Sequence, residues 1–387
     1  MAAFATSAPG LEPIVAAELN RLRIQGEVEP GGVAWSGSIE SVARANLWLR
    51  AASRVLVRVG QFRARTFWEL ERHARKLTWE RFVAAGAPVR FRVTSRKSRL
   101  YHSDAVAERL ANAAVARAGA APSAPASRVD GPAGTRDDDD VYDEHDVPGQ
   151  LFVVRVVRDV CTVSADASGA LLHRRGYRQA VVKAPLRETI AAAMLLGSEW
   201  RGTAPLIDPM CGSGTIPIEA ALIARRIAPG LGREFAFERW PDFEGVGWAR
   251  MREAARERQL SRAPVPIRAS DRDPGAVEAA LANAERAGVA ADVELDVRPV
   301  SGVEPPARRG WVVTNPPYGV RVGETTTVRD LYAALGDVLR ARFRGWTLAL
   351  LSPGGSLEHH VGVALRQRFA TVNGGIPVRL MTGEVTQ

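Results

Sequence analysis

Cysteine is scarce: Cys161 and Cys211 are the only two in 387 residues. Fifty positions apart, they form neither a disulfide framework nor a CxxC metal site. Lysine is almost missing, with Lys76, Lys97 and Lys183 alone, so arginine carries nearly all of the positive charge. No apolar run approaches the roughly 20 residues of a membrane span, which excludes an integral membrane helix as the organising element. The opening stretch MAAFATSAPGLEP has no basic region ahead of an apolar core, and Glu12-Pro13 interrupts it. It does not read as a secretory signal, and a cytoplasmic protein is expected. Hydrophobic residues make up 46% and charged residues 25%, enough for real cores and too apolar for general disorder.

The formal net charge is +9, and it is localised. Residues 1–100 hold 17 Lys/Arg against 8 Asp/Glu, while the remaining 287 positions carry 35 of each sign. A basic region of this kind is the electrostatic footprint of a polyanion binder, because each neutralised phosphate releases condensed counterions. The plainer alternative is a solvated arginine-rich surface.

Short strand and helix signals alternate through 3–62, as in a small α+β module. A second unit runs over 66–168, with helices at 67–77 and 104–117 and strands at 89–93, 151–157 and 160–165. Within it, 120–148 is rich in Pro, Ala, Ser and Gly and contains Asp137 to Asp140 in a row. That stretch has too little apolar surface to offset its ordering entropy and reads as a mobile surface loop. From Pro185 onward, apolar strands and amphipathic helices alternate in the manner of a parallel α/β sheet. A final hairpin is expected around Asn373-Gly374-Gly375.

Four strand ends in that sheet deliver Asp208, Asp271, Asp296 and Asn315 in order. Open parallel sheets bind ligands outside the carboxyl ends of their strands, at the switch point. Gly212 and Gly214, flanking Ser213, permit a sharp turn and close backbone approach to a ligand. An acidic residue ending the second strand suits a ribose diol, and Asp271 falls there. The third glycine of a dinucleotide fingerprint is absent, since Pro217 stands three positions after Gly214. Asn315-Pro316-Pro317-Tyr318 follows the fourth strand. Its prolines fix φ and remove two donors, leaving the Pro316 carbonyl as a rigid acceptor beside the Asn315 amide oxygen. Two acceptors aimed at one point suit an exocyclic amino group on a nucleobase, on which Tyr318 would stack.

DPMCGSGTIPIEAALIARRIAPGL, SDRDP and TNPPYG resemble class I S-adenosylmethionine (SAM)-dependent methyltransferases that modify guanine N2 in RNA. ATSAPGLEPIVAAEL, GGVAW, ARANLWLRAASRVL, LHRRGYR and APLRETIAAAMLL are similar to the bacterial THUMP-containing members, and the likeness covers nearly the whole chain. It implies an α/β fold: a Rossmann-like class I methyltransferase domain with a seven-stranded mixed sheet over 185–387. Ahead of it the resemblance implies a ferredoxin-like module at 1–65, a THUMP domain at 66–170 and a linker at 171–184, the first two forming an α+β RNA-binding region. By the same likeness Asp208, Gly212, Ser213 and Gly214 surround the methionine part of SAM. Asp271 takes the ribose, Asp296 the adenine amino group, and Asn315, Pro316 and Tyr318 clamp the target base. The segment from Pro185 to Thr189 matches one that precedes the cofactor pocket. The implied substrate is guanine N2, in 23S rRNA first and tRNA next. The insertion at 120–148 has no counterpart in the family.

Arg90, Arg92, Arg96, Lys97 and Arg99, with Tyr101 and His102 beside them, are the expected phosphate contacts. His359-His360 lacks a third ligand nearby, so no metal is expected. Cys211 reads as small and buried rather than nucleophilic. Phe237-Glu238-Arg239-Trp240 resembles a family insertion beside the active site, or else simple packing. Two rivals are carried forward: a DNA methyltransferase acting on adenine N6 or cytosine N4, and a non-catalytic RNA-binding protein.

Overall fold

The structure is a computed structural model that describes residues 1–121, 148–179, 186–318, 325–355 and 357–386. The acidic run at 137–140 and almost all of the stretch read as a loop lie outside the described residues, as does Pro185. The chain divides into two compact units. The first comprises Met1–Ser7, Ala16–Leu172 and Arg233–Arg252; the second comprises Ala8–Val15, His173–Gly232 and Glu253–Gln387.

Seven strands form one sheet in the first unit: β1 (Ala2–Ser7), β2 (Glu27–Glu29), β3 (Gly32–Ser36), β4 (Ala52–Arg63), β5 (Val89–Arg96), β6 (Gln150–Val157) and β7 (Val160–Asp166). Their order is β2-β3-β1-β4-β7-β6-β5, so the two modules read from the sequence share a continuous sheet. Strand β4 joins them because it is long. Its first half pairs antiparallel with β1 and its second half with β7. Helices α1 (Glu12–Arg21), α2 (Ile39–Trp48), α3 (Phe67–Ala74) and α4 (Ser103–Ala118) accompany these strands. Thr66 caps α3 by accepting from the Glu69 amide, and Gly119, at φ 63°, ends α4 in the left-handed conformation that glycine adopts without strain.

The aromatic run at 235–248 belongs to this first unit. Phe237 is fully buried against Phe235 and Trp248, and its amide donates to Ala167. Trp240 donates to the Gln150 side chain at 2.8 Å and meets Phe82 edge-on. Of the two expectations for Phe237-Glu238-Arg239-Trp240, packing is therefore the observed role.

The second unit holds β8 (Leu206–Asp208), β9 (Ile267–Asp271), β10 (Glu294–Val297), β11 (Trp311–Thr314), β12 (Thr347–Ser352), β13 (Arg366–Asn373) and β14 (Ile376–Glu384). Their order is β10-β9-β8-β11-β12-β14-β13, parallel as far as β12 and closed by an antiparallel hairpin. This is the seven-stranded mixed sheet of an α/β methyltransferase fold. The helices are α5 (Glu188–Gly197), α6 (Thr215–Ala224), α7 (Gly245–Glu257, shared with the first unit), α8 (Pro274–Arg286), α9 (Thr325–Arg342) and the short α10 (Leu357–His360). The central strands are mostly apolar and almost wholly buried, as expected where helices cover both faces. Along one face Tyr332, Leu335 and Leu339 of α9, with Phe343 just after it, pack with Ile207, Val312, Leu348 and Trp346. Among the described residues no helix is long and apolar enough to cross a membrane.

Candidate active site

After β10 the chain reverses direction across the sheet, so β8 and β11 lie side by side while the connections leave them on opposite sides. Such a switch point opens a crevice at the carboxyl ends of the two strands. Asp208 ends β8, Thr314 ends β11, and Asn315 follows Thr314. A hydrogen bond ties the two ends together: Thr314 Oγ1 donates to Asp208 Oδ1 at 2.8 Å.

Asp208 is fully buried. Its Oδ1 also accepts from the Met210 amide at 3.2 Å, whereas Oδ2 is buried and has no partner. Burial pushes its carboxyl up to about 7; the bonds from Thr314 and Met210 pull the other way, and the charge of Asp271 adds to the rise.

The loop between Asp208 and α6 is fastened at three points. Cys211 N donates to Ser270 O at 3.0 Å, and Gly212 N to Asp271 Oδ2 at 3.0 Å. Asn283 Nδ2, on α8, donates to Ser213 O at 2.9 Å. Gly212 and Gly214 both have positive φ, 52° and 84°. Gly214 also needs to be small, because an added Cβ would lie 2.9 Å from the Ala280 Cβ. A Gly214→Ala variant should lose about 1–3 kcal/mol of stability. A lower urea midpoint with an unchanged m value would show this, and a wild-type midpoint would contradict the stated geometry. Burial drives the Cys211 thiol far above its ordinary range, in keeping with a small buried residue and not a nucleophile.

Asp271 is half-buried; Oδ2 takes the Gly212 amide and Oδ1 the Asp273 amide at 3.1 Å. Asp273 in turn caps α8. Asp296 lies one strand further out, half-exposed and paired with Arg298 at 2.6 Å. The Arg298 amide donates to Asp271 O, which joins the ends of β9 and β10.

In the Asn-Pro-Pro-Tyr corner Pro316 is buried and Pro317 exposed. The Tyr318 hydroxyl donates to Asn315 Oδ1 at 2.6 Å, and Asn373 Nδ2 donates to the Tyr318 oxygen at 3.4 Å. Because Asn373 supplies a donor, the phenol's own hydrogen is directed at Asn315, which fixes the amide with its oxygen toward Tyr318. Burial pushes the Tyr318 hydroxyl up to about 12, so it remains a donor at neutral pH.

The sequence reading did not single out Asn283 or Asn373. Asn283 is fully buried, and its Oδ1 accepts from Gln179 N at 3.3 Å and from the Arg286 guanidinium. It thus links the glycine loop to the HRRGYR segment. That segment is further anchored by Glu219 of α6, which is fully buried and takes both Arg175 and the Tyr177 hydroxyl. Nearby in sequence, Glu188 starts α5, pairs with Arg178 at 3.2 Å and keeps Oε2 buried without a partner; burial pushes it up to about 7. Arg90 and Arg92, in the other unit, are half-buried on β5 and both have partners. Arg96, Lys97 and Arg99 are exposed at the end of that strand. His359 and His360 lie on α10, and among the described residues no group of three or more metal-ligating side chains occurs.

A glycine turn, an acidic strand end beside it and a buried carboxylate oxygen lacking a donor fit a cationic nucleoside cofactor. Together with the sheet order they define a class I SAM-dependent methyltransferase. The family described as UPF0020, RMKL-like methyltransferase domain, matches residues 175–381, and the RlmL ferredoxin-like domain matches residues 2–56. The chain belongs to this RMKL-like methyltransferase family, and SAM is its cofactor. It is 34% identical to "Putative RNA methyltransferase slr0064" of Synechocystis over 99% of this chain and 96% of that protein. It is 36% identical to "Ribosomal RNA large subunit methyltransferase K/L" of Syntrophotalea carbinolica, over 99% of this chain and 53% of the relative. The chain thus spans about half the length of that K/L protein. A solved structure, "SMU.472, a putative methyltransferase complexed with SAH", superposes with a TM-score of 0.85 at 31% identity, covering 100% of this chain and 98% of the other.

Proposed function

We propose that this protein methylates the exocyclic N2 of a guanine in RNA, with 23S rRNA the preferred substrate and tRNA the alternative. The observation that carries the reading is the bond from Thr314 to Asp208, which puts the Asn-Pro-Pro-Tyr corner beside the cofactor loop. The names of the relatives, RNA and ribosomal RNA methyltransferases, support RNA over DNA. The likeness of the motifs to guanine-N2 enzymes supports the atom.

Bound SAM supplies an electrophilic methyl group on a sulfonium. Asp208, Gly212, Ser213 and Gly214 hold its methionine end, Asp271 the ribose and Asp296 the adenine edge. Asn315 Oδ1 and the Pro316 carbonyl accept the two hydrogens of the guanine amino group. That nitrogen is a poor nucleophile because its lone pair is delocalised into the ring. Two fixed acceptors favour a pyramidal nitrogen and aim the lone pair along the line of transfer; the new N–C bond would replace the S–CH3 bond, a neutral thioether would leave, and the nitrogen would release one proton to solvent. Positioning, rather than acid–base strength, lowers the barrier. An amide oxygen has two lone pairs, so Asn315 serves the base while still bonded to Tyr318. Tyr318 stacks on the base, which is unpaired or flipped at a cost of a few kcal/mol. Arg90, Arg92, Arg96, Lys97 and Arg99 bind phosphates.

Mass spectrometry of nucleosides from rRNA and tRNA of a deletion strain tests the assignment. One N2-methylguanosine should disappear from 23S rRNA and return on complementation. Purified protein should label rRNA more than duplex DNA. Loss of N6-methyladenine or N4-methylcytosine from DNA instead, or failure to bind SAM, would favour one of the two rivals.

A further inference from the structure

One end of the first unit's sheet carries a row of exposed cationic and apolar side chains. Arg63, Val160, Val157 and Arg96 stand in register across the four adjacent strands β4, β7, β6 and β5, and all four side chains are exposed. Three loops meet just beyond this row, and a single acidic residue fastens them. Asp159 accepts from the Arg99 amide at 2.9 Å and from Arg65 Nε at 3.3 Å. Its own amide donates to Ser98 Oγ at 3.1 Å, and its carbonyl accepts from Ala64 N at 2.9 Å. Two carboxylates, Asp159 and Glu69, which accepts from the Arg65 amide at 2.6 Å, thus stand among six cations at this end: Arg63, Arg65, Arg96, Lys97, Arg99 and Arg158. Lys97 and Arg158, both at φ 50°, sit in tight turns that hold them at the tip.

The same end carries the only two exposed tryptophan, tyrosine or phenylalanine rings among the described residues. Trp68, in the first turn of α3 three positions after Arg65, is 66% exposed, and the Arg72 guanidinium lies 4.7 Å over its ring. Tyr101, just before α4, is 68% exposed with the His102 ring 4.1 Å away. Helices α3 and α4 run side by side from this end, since Glu71 pairs with Arg109, whose guanidinium lies 4.9 Å over Phe67. Exposed aromatic rings beside exposed arginines make stacking platforms along a phosphate track. A duplex offers its edges and backbone but keeps its base faces inside the stack. Only unpaired nucleotides present faces to a protein ring.

We infer that this end of the sheet is a docking surface for an unpaired stretch of RNA, with bases stacked on Trp68 and Tyr101 and phosphates along the row from Arg63 to Arg96. The inference rests on the reading of the protein as an RNA methyltransferase and specifies which form of RNA its first unit holds. Arg90 and Arg92 lie half-buried further back on β5, behind this row.

The test is equilibrium binding by the full chain of an unstructured oligoadenylate and of a hairpin duplex with the same number of phosphates, across a salt series. Wild type should prefer the single strand. Trp68→Ala and Tyr101→Ala should each weaken it about tenfold with the salt slope unchanged. Trp68→Phe and Tyr101→Phe should restore most of the affinity. Arg63→Ala with Arg158→Ala should flatten the salt slope for both ligands. Both rings are exposed, so an unchanged thermal midpoint will show that the variants fold. Tighter duplex binding, or aromatic variants that bind the single strand as wild type does, overturns the inference while the RNA methyltransferase reading stands. Binding of oligoadenylate through Trp68 and Tyr101, without methyl transfer to any RNA, supports the surface and removes the enzymatic reading instead.

Discussion

Asn315→Ala should lower methyl transfer by about 10²–10³-fold, the range seen when one preorganised polar contact to a reacting group is removed. SAM affinity should stay at the wild-type value, because Asn315 lies outside the glycine loop and bonds to Tyr318 instead. Calorimetry of SAM binding beside single-turnover methylation separates the two. The truncation deletes the one acceptor that the Asn-Pro-Pro-Tyr corner adds to a backbone carbonyl. It also frees the Tyr318 hydroxyl, which keeps Asn373 as a partner. Tyr318→Phe distinguishes those two losses: the ring remains, the amide loses its orienting bond, and turnover should fall far less than in the alanine variant. Wild-type turnover in Asn315→Ala would remove the clamp from the mechanism. Reduced SAM affinity equal to the loss in turnover would mean that the corner is structural.

Those residues were legible from the chain alone because their geometry is local. A strand, a glycine turn and a helix follow one another within twenty residues, so the order of residues already states which side chain ends which strand. The same holds for Asp271, which ends β9, for Asp296, one residue before the end of β10, and for Asn315, just after β11. Asn283 and Asn373 are different. Asn283 reaches Ser213 across 70 residues and Asn373 reaches Tyr318 across 55, and neither sits in a pattern that marks it off from an ordinary helix or turn asparagine. Asn373 did fall in the expected hairpin, whose two turn glycines have φ of 56° and 81°, as a tight primed turn requires. What its position next to Tyr318 depended on was the antiparallel placement of β14 against β12, a long-range pairing. The continuous first sheet escaped notice for the same reason. Strand β4 looks like one strand whichever module it belongs to, and only pairing reveals that its two halves have different partners. The aromatics at 235–248 were visibly core residues, but hydrophobicity carries no address.

The second large effect concerns pH. Burial holds the Asp208 carboxyl near 7, and its Oδ2 is buried without a donor. Near neutrality the apoprotein therefore divides between a protonated and an ionised Asp208. In the proposed role of Asp208 only its ionised form stabilises the cationic methionine end of the cofactor, so SAM affinity should climb as pH rises through about 7. The stability of the apoprotein should move the other way. A carboxyl raised above its unfolded value of about 3.9 binds a proton in the folded state that the unfolded chain has released, so stability falls as pH rises from there to about 7. Asp208→Asn should remove both dependences. Above neutrality it should bind SAM about 10- to 100-fold more weakly, the worth of one charge-assisted hydrogen bond, while unfolding at a denaturant concentration no lower than wild type. Comparing the variant with wild type at each pH cancels the titration of the ligand's own amino group. Glu188 is also held near 7 by burial, but it is paired with Arg178 and not with the strand ends, so Glu188→Gln should leave the rise in SAM affinity in place. A wild-type profile that is flat between pH 6 and 8, or one abolished by Glu188→Gln and kept by Asp208→Asn, would take Asp208 out of the cofactor site.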